Sequence, residues 1–66
     1  MKLRELRINQ RKTQSELAEL AGITQVTVSH IECNAFPPKL DTMLKVSKAL
    51  GVELTDIDEF KQRIAA

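Results

Sequence analysis

The chain has 66 residues, which is enough for one small domain and too few for two. Its single cysteine excludes an internal disulfide, and one His with one Cys cannot supply the roughly four ligands of a structural zinc site. A composition of 42% hydrophobic and 29% charged residues excludes a disordered chain and a membrane span. With one histidine and no Gly-rich loop, an enzyme is not expected. We therefore expect a single domain over residues 1–66, without catalytic residues, metal or cofactor.

The net charge of +1 is unevenly distributed along the chain. Residues 1–12 carry +4, residues 13–38 carry −3, residues 39–50 carry +2 and residues 51–66 carry −2. A basic start and an acidic end favour one face for a polyanion, although a solvated mixed surface would give the same distribution. The charged first residues do not resemble a signal peptide, so we expect no membrane association and a reduced, cytoplasmic location.

Cap signals and apolar spacing predict five short helices. Thr13 and Glu16 form a capping box, and Thr24 is a second N-cap residue. Gly22 and Gly51 stand where helix ends need a left-handed residue. The predicted helices span about residues 2–11, 14–21, 24–33, 40–50 and 55–64.

The fourth and fifth predicted helices each have an apolar stripe. In the fourth helix the stripe is formed by Leu40, Met43, Ser47 and Leu50. Thr55 opens a box-like cap, Thr55-Asp56-Ile57-Asp58, from which the fifth helix is expected to start. Asn34, the second choice after Gly for a left-handed position, ends the third helix, and the two prolines that follow predict a loop over residues 35–38.

Only three residues, 22–24, separate the second helix from the third, so the two helices should cross at a steep angle. On a helical wheel, Thr24, Val28 and Ile31 lie on one side of the third helix, and Val28 and Ile31 can meet Leu17 and Ile23 in one core. The opposite side has no charged residue, which is unusual for a solvent-exposed helix face. It consists of Gln25, Val26, Ser29, His30 and Cys33.

Such an uncharged polar face suits the major groove of DNA. Gln and His side chains donate and accept hydrogen bonds with base edges, and Val26 can contact a thymine methyl group. Arg11, Lys12 and Lys39, which flank the unit, can hold phosphates. A solvated helix face is the alternative interpretation, as are a pH-sensing His30 and a redox-sensing Cys33. The predicted base-reading residues are Gln25, Val26, Ser29 and His30.

The stretch from Gln14 to Glu32, with its Gln-x-x-Leu-Ala-x-x-Ala-Gly core, resembles the phage lambda repressor and Cro-like helix-turn-helix domains, also called the Xre family. The resemblance covers about residues 3–57. It implies an all-α, compact five-helix domain that binds double-stranded DNA. It also implies a sequence-specific transcriptional regulator of repressor or controller type.

The resemblance further implies roles for individual residues. Gln14 matches a residue that contacts the DNA backbone, Lys39 matches a position near the minor groove and phosphates, and Arg7 and Glu32 match a buried ion pair. Asn34 stands where the family usually has Gly, and Cys33 where it often has Asn or a basic residue. The predicted phosphate-contacting residues are Gln14, Thr24, Thr27, Asn34, Lys39, Arg11 and Lys12.

The small number of cations near the third helix favours a homodimer, because two protomers double the phosphate contacts on half-sites about 10 bp apart. The expected dimer surface is the fifth helix with the end of the fourth helix, although the same residues could simply close the core. A protein-interaction module, such as an antitoxin whose C-terminal helix covers a toxin, is the alternative function. The predicted interface residues are Leu54, Ile57, Phe60 and Ile64.

Overall fold

The computed structural model describes residues 1–35 and 38–64, with side chains as far as residue 61. These residues form five α-helices and one 3-10 turn and contain no strand, which confirms the all-α prediction. The predicted loop over residues 35–38 includes Phe36 and Pro37, which lie outside the described residues. The helices are α1 (Leu3–Asn9), α2 (Gln14–Ala21), α3 (Gln25–Glu32), α4 (Leu40–Leu50) and α5 (Asp58–Ile64), with the 3-10 turn at Leu54–Asp56.

Side-chain caps begin α2 and α3 where the sequence predicts them. The Thr13 hydroxyl accepts a hydrogen bond from the Glu16 backbone N–H at 3.0 Å, and the Thr13 N–H donates to the Glu16 carboxylate at 2.9 Å. These bonds lower the pKa of Glu16 below its ordinary value, because they stabilise the charged carboxylate. At α3 the Thr24 hydroxyl accepts from the Thr27 N–H at 3.2 Å. Both caps satisfy backbone donors that a helix start leaves unpaired.

Left-handed residues follow α2, α3 and α4 as expected. Gly22 and Gly51 have φ of 71° and 69°, and Asn34 has φ of 54°. Arg11 has φ of 56°, which the sequence did not predict, since arginine is uncommon in this region. The turn at Arg11 ends α1 at Asn9, two residues earlier than expected.

The predicted start of the last helix is wrong. Thr55 does not act as its cap, because it lies inside the 3-10 turn. A capping box forms instead at the start of the 3-10 turn, where the Glu53 N–H donates to the Asp56 carboxylate at 3.0 Å. Ile57 then adopts an extended backbone, with φ of −100° and ψ of 114°, so that α5 starts only at Asp58.

A single hydrophobic core connects all five helices. The predicted apolar stripe of α4 is correct for Met43, Ser47 and Leu50 and wrong for Leu40, which is exposed, whereas Val46 is fully buried. α2 lies at the centre, because it packs against both α3 and α4. None of the described helices is long and apolar enough to cross a membrane. The buried apolar residues are Leu3, Leu17, Ala18, Ala21, Val28, Ile31, Met43, Val46, Leu50, Ile57 and Phe60.

The predicted dimer surface on the last helix is not available in this structure. Ile57 and Phe60 are 0% exposed, and Leu54 is half-buried against the core. The side chain of Ile64 lies outside the described residues. Ile57 and Phe60 are therefore part of the hydrophobic core of the monomer. The same burial removes them from any surface that could cover a toxin.

We expect Phe60→Ala to destabilise the monomer by about 3–5 kcal/mol, because truncating a fully buried aromatic side chain leaves a cavity. Urea unfolding at two protein concentrations checks this, with Leu20→Ala, on an exposed leucine of α2, as the matched control. The control should change stability by no more than about 0.5 kcal/mol. A loss of stability that disappears at high protein concentration would instead place Phe60 at an interface.

Candidate nucleic-acid interface

A tight turn holds α2 against α3. The Ile23 N–H donates to the Ala18 carbonyl at 2.9 Å, so the chain reverses immediately after Gly22. Ala18 is buried between the helices, where its small side chain permits a close approach to α3. Val28 and Ile31 of α3 are buried in the same core. The turn and this packing fix which side of α3 points outward.

The outward side of α3 carries the residues that the sequence placed there. Gln25, at the first position of the helix, is exposed, and Val26 is 61% exposed. Ser29 and His30 are half-buried at the border of the face. The described surface of α3 from Gln25 to His30 has no lysine, arginine, aspartate or glutamate. It can therefore approach a polyanion without burying a charge.

Thr24 is exposed at the start of α3, whereas Val28 and Ile31 on the same side of the helical wheel are buried, because the Thr24 hydroxyl caps the helix. Its Oγ1 also lies 2.8 Å from Oγ1 of Thr27, so the two hydroxyls share a hydrogen bond. This contact holds both hydroxyls at the N-terminal end of α3, where the backbone N–H groups favour an anion.

A buried ion pair links α1 to α3, as the resemblance implied. Arg7 Nε donates to Glu32 Oε2 at 2.7 Å, and a terminal nitrogen of Arg7 donates to Oε1 at 3.2 Å. The exposed fractions of the two side chains are only 11% and 6%. The other terminal nitrogen of Arg7 donates to the Lys12 carbonyl at 2.8 Å. Arg7 thus fastens both the end of α3 and the segment that leads into α2.

Gln14 completes this network. Its Nε2 donates to Glu32 Oε1 at 3.0 Å, so the first residue of α2 also holds the carboxylate. Within the described residues no buried side-chain nitrogen or oxygen lacks a partner. The three side chains Arg7, Gln14 and Glu32 therefore form a satisfied polar cluster that joins α1, α2 and α3. We refer to them below as the Glu32 network.

The Glu32 network keeps its carboxylate charged. Burial alone would raise the pKa of Glu32, but hydrogen bonds from Arg7 and Gln14, with the positive charges of Arg7 and Arg4, outweigh it. The pKa of Glu32 consequently lies below its ordinary value of 4.5. The ion pair is therefore intact at neutral pH.

The flanking cations occupy separate positions around the helix pair. Arg11 is exposed in its left-handed turn before α2, whereas the Lys12 side chain is half-buried. Lys39 is exposed at the N-cap of α4, and Asn34 is exposed after α3. All four can be reached from solvent, at least in part.

Two links between helices have no signal in the sequence. Gln14 bonds Glu32 across 18 residues, although the sequence suggested only a DNA contact for it. Gln10 Nε2 donates to the Leu50 carbonyl at 2.8 Å and so ties the end of α1 to the end of α4. Glutamine is common on solvent-exposed helix faces, so neither contact could be inferred from residue type or local spacing.

A helix-turn-helix family profile matches residues 3–57, which is most of the chain. This chain belongs to the helix-turn-helix family. The uncharacterized HTH-type transcriptional regulator YgzD from Bacillus subtilis (strain 168) is 36% identical over 56 residues, covering 85% of either chain. The Xre-type resemblance of the sequence is thereby confirmed. Membership of this family supports DNA binding and regulation of transcription as the general function of the chain.

We expect Arg7→Met to lower the free energy of unfolding by about 3–5 kcal/mol, because it leaves the Glu32 carboxylate buried without its cation. The double variant Arg7→Met/Glu32→Leu removes both charges and should recover most of that loss. Urea unfolding of both variants measures the difference. Equal stabilities of the single variant and the unaltered protein would show that the pair contributes nothing in solution.

The stability should also depend on pH through Glu32. Its pKa is lowered on folding, so its contribution is complete above the unfolded pKa and is lost as the pH falls through the folded pKa. We expect the free energy of unfolding to fall on acidification from about pH 5 downward. Urea unfolding across this range tests it, and Arg7→Met/Glu32→Leu should show a weaker dependence. Parallel profiles for the two proteins would contradict the assignment to Glu32.

Proposed function

We propose that this protein is a sequence-specific DNA-binding regulator of transcription, of repressor or controller type, that occupies an operator as a homodimer. The observation that carries this proposal is the outward position of Gln25 and Val26 at the start of α3, on a face without charged side chains. The Glu32 network and the turn after α2 fix the position of that face in the fold. Regulation would then follow from occlusion of a promoter or from contact with polymerase, without catalysis.

The outward face supplies groups that distinguish base pairs. The Gln25 amide can form two hydrogen bonds with an adenine edge, and the Val26 methyl groups suit a thymine methyl. Ser29 and His30, at the border of the face, supply further donors and acceptors to bases or neighbouring phosphates. Because α3 is fixed at both ends, these groups would meet DNA with little further ordering, which favours specificity.

The cations around the helix pair would grip the phosphates. Arg11, Lys12 and Lys39 can neutralise about three phosphates per protomer, and the paired hydroxyls of Thr24 and Thr27 can donate to another. Each neutralised phosphate contributes about −0.9 to the slope of log affinity against log salt. A single protomer should therefore show a slope near −3, and a dimer on two half-sites a slope between about −5 and −6. One protomer would bind weakly, which is why the proposal includes a homodimer.

Selection of bound sequences from random DNA tests the proposal directly. Binding of the selected duplex and of a scrambled duplex is then titrated at several salt concentrations. The expected result is a preference of at least about a thousandfold for the selected duplex, which is the low end for specific regulators. Equal affinity for the two duplexes would overturn sequence-specific recognition, and a flat salt dependence would overturn phosphate contact.

We expect Gln25→Ala and Lys39→Ala to weaken binding in different ways. Gln25→Ala should cost about 1–3 kcal/mol on the selected duplex and relax the preference at one base position, because a base contact is lost. Lys39→Ala should weaken both duplexes alike and make the salt slope shallower by about 1 per protomer.

Lys61→Ala is the matched control for Lys39→Ala, since it removes the same charge from an exposed position of α5. Its binding to both duplexes should equal that of the unaltered protein. The residue assignments would be wrong if Gln25→Ala weakened both duplexes equally, or if Lys61→Ala matched Lys39→Ala.

A further inference from the structure

The outward face of α4 carries two large apolar side chains that the core does not use. Leu40 is 58% exposed and Leu44 is 49% exposed. They stand at positions i and i+4, so they are neighbours on one face of the helix. Among the described side chains of α1, α2 and α3, each helix exposes one large apolar residue, namely Ile8, Leu20 and Val26. Single exposed apolar residues are ordinary on protein surfaces, but an adjacent pair on one helix indicates a contact.

Two opposite charges border this apolar pair. Asp41 lies in the first turn of α4 and Lys48 in its last turn, and both are exposed. They are seven residues apart and therefore lie on nearly the same side of the helix, about 10 Å from each other along its axis. This separation is too long for an ion pair within one chain. Asp41 instead pairs with Lys45, at 3.2 Å, and its carboxylate remains open to a second partner.

This arrangement is complementary to itself under a two-fold axis. In a two-fold contact, if residue i of the first copy contacts residue j of the second, then residue j of the first copy also contacts residue i of the second. Two antiparallel α4 helices that cross between Leu44 and Lys45 bring Asp41 of either copy opposite Lys48 of the other. Leu44 then packs against Leu44 of the second copy, and Leu40 packs along the methylene stem of Lys48.

We propose that two copies of this protein pair through α4, with Leu44 at the centre, an Asp41–Lys48 ion pair on either side of it and Leu40 at the outer ends of the contact. The inference rests on the proposed function, because DNA with two half-sites would bring the two copies together. It places the dimer surface on α4, since Ile57 and Phe60 of the originally expected surface are enclosed in the core. A second copy of this chain is the favoured partner, because an antiparallel second α4 places its Lys48 opposite Asp41 and its Asp41 opposite Lys48.

The contact is small, and its size determines which measurement would detect it. One face of an 11-residue helix offers less than the roughly 800 Å² per partner of a standard stable interface. Free protein should therefore associate weakly. On DNA with two half-sites, the second copy would bind at an effective concentration in the millimolar range, so that the pairing appears as cooperativity.

A charge-exchange experiment tests the pairing. In Asp41→Lys, two lysines of one copy face lysines of the other, and in Lys48→Asp, aspartates face aspartates. A mixture of the two variants restores opposite charges at both ends of a mixed pair. We expect each variant alone to lose about tenfold in binding cooperativity on a duplex with two selected half-sites, and the mixture to regain most of it. A mixture no more cooperative than the separate variants would overturn the pairing.

Leu44→Gln provides a second variant that leaves the charges of α4 unchanged. It should abolish the cooperativity and leave both the affinity for one half-site and the melting temperature nearly unchanged, because Leu44 lies outside the core. Leu20→Gln, on the exposed side of α2, is the matched control and should retain cooperativity. Full cooperativity in Leu44→Gln would also overturn the proposal.

Sedimentation equilibrium at protein concentrations approaching about 1 mM separates this inference from the proposed function. Association of the unaltered protein and of the variant mixture, but not of either variant alone, would support pairing through α4 without any DNA. Failure to bind a single half-site would count against the proposed function only. Binding to single half-sites with cooperativity unaffected by any α4 variant would count against the pairing only.

Discussion

The bidentate contact between Arg7 and Glu32 is the interaction on which the arrangement of the first three helices depends. Both side chains are almost fully buried, and burying a charge is costly unless it is paired and hydrogen-bonded. The two charges pair with each other. Gln14 donates a further hydrogen bond to Glu32, and the Lys12 carbonyl accepts one from Arg7. Any shift of α1, α2 or α3 relative to the others would leave one of these groups buried without a partner. The network thus fixes an orientation that apolar packing alone would specify less strictly.

This constraint explains how so small a domain can hold a short helix with an uncharged outer face. α3 spans only Gln25–Glu32, and isolated helices of this length are marginal in water. Thr24 caps its start, Glu32 anchors its end, and Val28 and Ile31 bury its inner side. Its outer side needs no charged residues for its own stability. That side is therefore free to carry the uncharged groups through which, on our proposal, bases are recognised.

The sequence pattern predicts a dimer surface on the last helix, but the structure buries those residues and leaves two leucines of α4 exposed. The apolar stripe predicted for the last helix begins with Ile57 and Phe60, yet Ile57 precedes α5 and both side chains are fully buried in the core. α4 places Met43, Val46 and Leu50 inward and leaves Leu40 and Leu44 outside. A chain of this length has few large apolar residues for its core, so Phe60, the one large apolar side chain described in α5, is enclosed there. On our proposal, a second copy then binds at α4.

The sequence by itself determined the local features: the caps at Thr13 and Thr24, the left-handed residues Gly22, Gly51 and Asn34, and the uncharged face of α3. These depend on atoms within about four residues of one another, and so residue type and spacing suffice to predict them. The Arg7–Glu32 pair came from family resemblance and not from spacing. Only the tertiary structure decided that Gln14 binds Glu32, that Ile57 breaks the last helix, and which leucines of α4 face the core. Each of these outcomes depends on contacts between distant segments, whose competition for one small core cannot be read from any local pattern.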